Sequence, residues 1–309
     1  MLELKKIAVE IRDIISEYQK KHSLSFVEDT HTYYIMNDKG EITSDMPSVS
    51  SVLKAFYNHF DSVSTKSFQN CGGDKDVERS LLTEWNYKAS YATNMGSRVH
   101  YLLEKELVGQ YGSYKEVRQP IFECDEEQTK IGDAMIKAGK DFIDLMHQRG
   151  AVLLDTEMVL GSIELGYFGQ PDKVWLMLDK QGNIGIVITD WKTNKKENMS
   201  DEIKPWTKNL LHPFSSLIDN ALSHYKLQLP LYAKLLLHML KGTKYANIKF
   251  FGCVIVHLTE ETSFCEYRVT NDIINTIMDM DVKKILKERS NHIKQHKYLE
   301  QRDKEIINS

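Results

Sequence analysis

Two kinds of hydrophobic spacing alternate along this chain. Apolar residues at three- and four-residue intervals, with charged residues between them, predict amphipathic helices over residues 2–20, 81–107 and 126–146, and again from residues 217 and 272 onward. Short runs rich in Val, Ile, Phe and Tyr predict strands over residues 26–35, 152–160, 173–178, 184–188, 249–258 and 266–269. At 309 residues the chain exceeds one average domain without requiring two, so we expect one α/β body with appended helices.

Two of the strand-like runs flank a polar, glycine-containing break and predict an antiparallel hairpin from residues 173–178 and 184–188. Positions equidistant from the middle of the turn face each other in such a pair. Asp172 and Asp190 are each nine residues from that midpoint, so the two carboxylates should meet at the open end. Side chains alternate along a strand, and Lys192 therefore shares the face of Asp190.

Two carboxylates and a lysine that lie close together could bind a divalent metal ion and act on a water beside it. Hard oxygen ligands of this kind bind Mg²⁺ or Mn²⁺, with water in the remaining positions. A lysine beside such an ion can orient or deprotonate an attacking water and screen the charge that builds on a phosphate.

Four short motifs follow one another in the chain. Residues 96–104 have the pattern Gly-x-x-x-His-x-x-x-Glu, residues 171–172 are Pro-Asp, residues 190–192 are Asp-x-Lys, and residues 228–232 are Gln-x-x-x-Tyr. In this order they resemble the PD-(D/E)XK nuclease superfamily, and within it the RecB-like branch that includes a mitochondrial genome-maintenance exonuclease, CRISPR-adaptation nucleases and phage exonucleases. The combination, which covers roughly residues 96–258, is more specific than any one motif.

The resemblance implies a central mixed β-sheet flanked by helices, the restriction-endonuclease-like core, over residues 96–270. The residue patterns add to this core an N-terminal helix, hairpin and helical segment over residues 1–95 and a charged helical extension over residues 271–309. The resemblance further implies a metal-dependent DNA nuclease, with an exonuclease on single strands or DNA ends in replication, recombination or repair as the expected activity. A restriction-type endonuclease and a non-catalytic DNA-binding or recombination scaffold are the alternatives left open.

Particular roles come with the resemblance. The implied metal ligands are His100, Asp172, Asp190 and the backbone carbonyl of Trp191. Lys192 would position or activate the water, while Gln228 and Tyr232 would orient the DNA strand or the lysine. Two glutamates are secondary residues near the site: Glu104, on the helix face of His100, and Glu157, in the strand ahead of the first aspartate. Without the resemblance, His100 beside Glu104 is an ordinary surface pair.

A lysine-rich stretch follows the Asp-x-Lys motif and contains the candidate DNA-binding residues Lys195, Lys196, Lys204, Trp206 and Lys208, to which Tyr225 is added. Lysines interleaved with an aromatic side chain can hold phosphates and stack a base, and a solvated loop is the alternative. The formal net charge of −4 provides no basic signature for wrapping a duplex. We therefore expect single-stranded DNA or duplex ends as partners, together with a single-strand-binding or annealing protein.

The cysteines and the apolar runs bear on two further expectations, the presence of an iron–sulfur cluster and the cellular location. The four cysteines are scattered without metal-ligand spacing. Only Cys253 and Cys265 lie downstream of the motifs, whereas iron–sulfur members of the branch use three there, so no cluster is expected. The N-terminus lacks an apolar signal core and no run approaches membrane-spanning length, which predicts a cytoplasmic protein of a bacterium or phage-infected host with no membrane partner.

Overall fold

The computed structural model describes residues 2–111, 124–202 and 207–309. Within these ranges the helices are α1 Leu2–Lys21, α2 Val49–Leu53, α3 Lys66–Gln69, α4 Lys75–Tyr111, α5 Glu126–Gln148, α6 Ala221–Met239, α7 Asn271–Asp279, α8 Val282–Glu288 and α9 Ser290–Asn308. The strands are β1 Ser25–Val27, β2 Thr32–Met36, β3 Ile42–Thr43, β4 Val152–Thr156, β5 Leu160–Ser162, β6 Tyr167–Gly169, β7 Lys173–Leu178, β8 Ile184–Lys192, β9 Lys249–Leu258 and β10 Phe264–Arg268. Short 3₁₀ helices cover Ser62–Ser64 and Lys196–Asn198.

A mixed five-stranded sheet, in the order β10-β9-β8-β7-β4, forms the centre of the fold. Strands β7 and β8 form the predicted antiparallel hairpin. Helix α6 then crosses the sheet, so that β9 returns parallel to β8, and β10 turns back antiparallel at the edge. The prediction of an α/β fold with a mixed sheet flanked by helices is therefore confirmed.

The alternation of side chains along β8 separates two hydrophobic layers. Ile186 and Ile188 belong to the layer formed with α1, α2, α6 and α7. Val187 and Trp191 point to the opposite layer, which includes residues of α4 and α5. There the Trp191 ring meets Phe142 edge-on, with ring centroids 5.4 Å apart. As a result, α4 and α6 approach the end of β8 from opposite faces of the sheet.

The terminal helices pack onto this body. Helix α1 buries Leu4, Ala8, Ile11 and Ile15 and contacts β4 and β7. Helix α9 contacts α4. The expected boundary between residues 95 and 96 lies inside the continuous helix α4, and the division into three segments stays a prediction.

Two predicted strands differ from the structure. Residues 26–35 form two strands, β1 and β2, because the polar stretch from Glu28 to His31 makes a turn in which His31 has a φ of 51°. The strand predicted over residues 152–160 ends at Thr156, where Glu157 takes a φ of 46°. A separate two-stranded sheet, β5-β6, follows.

None of the described helices has both the length and the apolar composition required to cross a membrane.

Candidate active site

The hairpin register brings the two motif aspartates together. Lys173 pairs with Thr189 and Val174 with Ile188, so the next step of the ladder puts Asp172 opposite Asp190. Oδ2 of Asp172 accepts a hydrogen bond of 2.8 Å from the backbone N–H of Trp191. This bond links the residue before β7 to the end of β8, and it joins the Pro-Asp and Asp-x-Lys motifs in one structure.

Asp190 and Lys192 form a buried ion pair on the α6 side of the sheet. Burial raises the pKa of Asp190 to about 6, and the nearby negative charge of Asp172 acts in the same direction. Burial alone would lower the pKa of Lys192, but the carboxylates of Asp190 and Asp172 outweigh it and raise this pKa above its usual value. Lys192 is therefore protonated at neutral pH in this arrangement, and it can donate to a water or a phosphate oxygen.

Two side chains lie close to Oδ2 of Asp172, in addition to the N–H of Trp191. Nδ1 of His100 lies 3.3 Å away and Nζ of Lys173 lies 3.5 Å away. Burial by itself would raise the pKa of Asp172, but the charge of Lys173 and further contributions from His100 and Lys192 hold the pKa well below its usual range. The carboxylate therefore stays ionised although it is buried.

His100 approaches this carboxylate from helix α4. Burial lowers the pKa of His100 to about 4, against the opposing effect of Asp172, so the imidazole is neutral at physiological pH. A neutral imidazole is the form that coordinates metal ions. Gly96, one turn earlier, permits the approach of helix and strand, because a Cβ at this position would lie 2.9 Å from Oγ1 of Thr193. The glycine of the Gly-x-x-x-His motif therefore allows α4 to pack closely against Thr193, directly after β8.

Glu157 belongs to the same group of potential metal donors as His100 and Asp172. One donor atom from each of His100, Glu157 and Asp172 lies within 4.8 Å of the others, whereas Asp190 is paired with Lys192. The N–H of Glu157 donates to the carbonyl of Asp172 at 3.0 Å, which extends the β4–β7 ladder by one step beyond Thr156. The backbone of Glu157 is left-handed, with a φ of 46°, and β4 ends one residue before it.

The donor set of this site suits a divalent cation. It combines one imidazole nitrogen with carboxylate oxygens, and the backbone of Trp191 hydrogen-bonds His100 at the same place. Octahedral bonds of about 2.0–2.1 Å put neighbouring donors roughly 3 Å apart, so a modest contraction of the group would close it around Mg²⁺ or Mn²⁺. The residues present therefore fit the implied metal.

Gln228 and Tyr232 approach the site from α6. Nε2 of Gln228 donates to the hydroxyl of Tyr232 at 2.7 Å, which leaves the phenolic proton free to point elsewhere. Burial raises the pKa of Tyr232, and the negative charge of Asp190 raises it further. The ring packs directly on Gly169, where a Cβ would come within 2.6 Å of it. The Gln-x-x-x-Tyr motif therefore lies beside Asp190.

Glu104 and Tyr225 contact neighbouring protein groups. Oε1 of Glu104 accepts a hydrogen bond of 3.2 Å from Oγ1 of Thr156, which ties α4 to the end of β4. The ring centroid of Tyr225 lies 4.3 Å from Nζ of Lys192, and its hydroxyl donates to Oδ1 of Asn194 at 3.0 Å. One face of the Tyr225 ring is thus occupied by the lysine of the site.

Three of the other candidate DNA-binding residues belong to the part of the chain that the structure describes. Lys195 and Lys196 are exposed directly after β8, and Lys208 is exposed further on. Lys204 and Trp206 lie outside the described residues. The role of all these residues in DNA binding stays a prediction.

A scan against protein-family models finds no match. A search of curated proteins finds no significant match. What the chain does must therefore be inferred from its own side chains.

Proposed function

We propose that this protein is a divalent-metal-dependent nuclease that hydrolyses phosphodiester bonds in DNA. The observation that carries the proposal is the buried Asp190–Lys192 pair beside the donor group of His100, Glu157 and Asp172. The same arrangement supports membership of the RecB-like branch of the PD-(D/E)XK superfamily, with a restriction-endonuclease-like core. Mixed sheets host many functions, so the side chains carry this proposal more than the fold does.

In this proposal His100, Asp172, Glu157 and the carbonyl of Trp191 would hold the metal, with Asp190 adjacent. A bound Mg²⁺ or Mn²⁺ supplies charge stabilisation at the phosphate and lowers the pKa of a coordinated water. Hydrolysis of phosphate diesters is intrinsically very slow, so a site without such charge stabilisation would be ineffective.

The chain's own residues supply position and protons. Lys192, protonated and held between Asp190 and the Tyr225 ring, donates to the attacking water or to a phosphate oxygen. Lys173, buried beneath Asp172, keeps that carboxylate ionised. The Gln228–Tyr232 pair holds the Asp190 side of the site and offers the phenolic proton toward it.

The proposed substrate is a DNA end or a single strand. With a net charge of −4, broad neutralisation of a duplex is unfavourable, while the exposed Lys195 and Lys196 provide local positive charge beside the end of β8. We accordingly propose an exonuclease of replication, recombination or repair that acts in the cytoplasm. A single-strand-binding or annealing protein is its proposed partner.

Labelled DNA of defined topology tests both parts of the proposal. Linear single strands and duplexes should be degraded with Mg²⁺ or Mn²⁺, and covalently closed circles of both kinds should persist. Because His100 contributes a nitrogen ligand, Mn²⁺ should support faster cleavage than Mg²⁺. Full activity in excess chelator would exclude the metal site. Degradation of closed circles at the rate of linear DNA would instead identify an endonuclease.

A further inference from the structure

Three histidines converge far from the Asp-x-Lys motif in sequence and outside the candidate active site. His292 and His296, four residues apart, share one face of α9. His59 lies in the segment between α2 and the 3₁₀ helix at Ser62–Ser64. One ring nitrogen of each residue lies within 4.8 Å of one ring nitrogen of each of the others.

Backbone carbonyls fix the protonation pattern of two of these rings. Nε2 of His59 lies 2.9 Å from the carbonyl oxygen of His292, and Nε2 of His292 lies 2.8 Å from that of Tyr57. A carbonyl oxygen only accepts, so each Nε2 carries the proton. In the neutral rings Nδ1 therefore keeps its lone pair. An imidazole oriented by a carbonyl in this way is the usual outer-sphere arrangement of metal-binding histidines.

The third ring has an unpartnered nitrogen. His296 is 9% exposed, and its Nε2 is buried without a hydrogen-bond partner among the described residues. A buried polar atom without a partner is uncommon in native structures and often marks an unseen water or ion. Burial also lowers the pKa values of His292 and His296, so both rings are in the neutral form that binds metals.

We propose that His59, His292 and His296 bind a zinc ion, which fastens helix α9 to the segment that follows α2. Imidazole donors without a carboxylate favour zinc and related transition ions over Mg²⁺. Zinc–nitrogen bonds of about 2.0–2.1 Å put tetrahedral donors roughly 3.4 Å apart. The nearest ring nitrogens of the three residues are thus at most about 1.4 Å farther apart than zinc ligands, given the 4.8 Å bound. Three protein ligands leave the fourth position to water.

This site is independent of the proposed nuclease activity, and its test has to exclude the active-site donors. The full chain carrying His100→Ala and Asp172→Asn is titrated with Co²⁺, whose visible absorption reports tetrahedral coordination, and then with Zn²⁺ as competitor. One equivalent of Co²⁺ should produce the tetrahedral spectrum and Zn²⁺ should abolish it. Zn²⁺ should also raise the melting temperature by roughly 5 °C or more when it is well above the dissociation constant.

His59→Gln provides the decisive comparison, because the residue lies outside helices and strands and its replacement does not interrupt α9. In the same background it should weaken Co²⁺ binding on the order of 100-fold and remove the zinc-dependent stabilisation. His31→Asn is the matched control, since asparagine tolerates the left-handed backbone at that exposed position. This control should bind as the parent does. Unchanged Co²⁺ binding in the His59→Gln chain, or no tetrahedral spectrum in the parent, would overturn the proposal.

Discussion

Trp191 and Asp172 are joined by a backbone-to-carboxylate hydrogen bond of 2.8 Å across the open end of the hairpin. The bond holds the Asp172 carboxylate in place without using the side chains of the Asp-x-Lys motif. Asp190 and Lys192 can therefore be replaced individually while the hairpin end keeps this link. Substitutions of Asp190 or Lys192 therefore test the function of these side chains without removing the Asp172–Trp191 hydrogen bond.

Asp190→Asn and Lys192→Ala should each reduce DNA cleavage by on the order of 100-fold or more, because one removes the negative charge that holds Lys192 beside the proposed metal and the other removes the donor to the water or phosphate. DNA binding should persist, and Asp190→Asn removes a negative charge from beside the phosphate. Single-turnover cleavage and a binding titration on the same labelled strand separate the two effects. Lys180→Ala, on the exposed turn of the same hairpin, is the control. Near-normal turnover in either site variant would remove this hairpin as the active centre.

Lys173→Met should destabilise the protein by about 3–5 kcal/mol, because it leaves the buried Asp172 carboxylate without its nearest lysine. Nζ of Lys173 also lies 4.0 Å from the Trp191 ring centroid, a contact that the substitution removes. Urea unfolding measures the loss. Adding Asp172→Asn to Lys173→Met should recover part of it, since the unpaired charge is then gone. Strictly additive losses would mean that the two side chains do not interact.

Gly169→Ala should disturb the Gln-x-x-x-Tyr helix, because the added methyl group would lie within 2.6 Å of the Tyr232 ring. We expect a loss of roughly 1–3 kcal/mol in the free energy of unfolding and a lower cleavage rate. Tyr232→Leu removes the obstructing ring and should make Gly169→Ala less harmful. A double-mutant cycle in urea measures this relief, and a cost that is the same in both backgrounds would contradict the contact.

Asp219→Asn tests stability against pH at a point away from the metal donors. Oδ2 of Asp219 accepts from the backbone N–H of Asn58 at 2.6 Å, and Oδ1 contacts Nε2 of His224 at 2.6 Å. Burial alone would raise the pKa of Asp219, but the hydrogen bond with His224 and those from Asn58 lower it. The folded state therefore binds this proton less readily than the unfolded state. The stabilisation is present above the unfolded pKa of about 3.9 and is lost as the pH falls through the lower folded value.

Urea unfolding at a series of pH values measures this difference. At pH 7 Asp219→Asn should cost about 1–3 kcal/mol, and the gap from the parent protein should narrow as the pH drops below about 4. Asp141→Asn, on the exposed face of α5, should show no such narrowing. A gap that stays constant down to acid pH would mean that the ionised form of Asp219 is not what the fold stabilises.

Features formed by residues that are close along the chain can be predicted from the sequence, whereas contacts between distant residues cannot. The β7–β8 hairpin is local, and its turn fixes the register that brings Asp172 and Asp190 together. The position of Glu157 opposite Asp172 is harder to predict, because it depends on the β4–β7 register, which contains an irregularity and joins strands separated along the chain by the β5–β6 hairpin. The approach of His59 to α9 joins residues more than 200 positions apart. No local pattern indicates such a contact.

The position of β8 in the middle of the sheet has a consequence for how long the site survives thermal motion. Strand β8 is hydrogen-bonded to β7 on one side and to β9 on the other, while β10 and β4 form the edges. Fraying of an edge strand exposes its own amide groups to exchange with solvent but leaves both neighbours of β8 paired. We therefore expect the amides of Asp190 and Trp191 to exchange with solvent more slowly than those of the edge strands β4 and β10. Fraying of either edge strand should leave the relative positions of Asp190 and Lys192 unchanged.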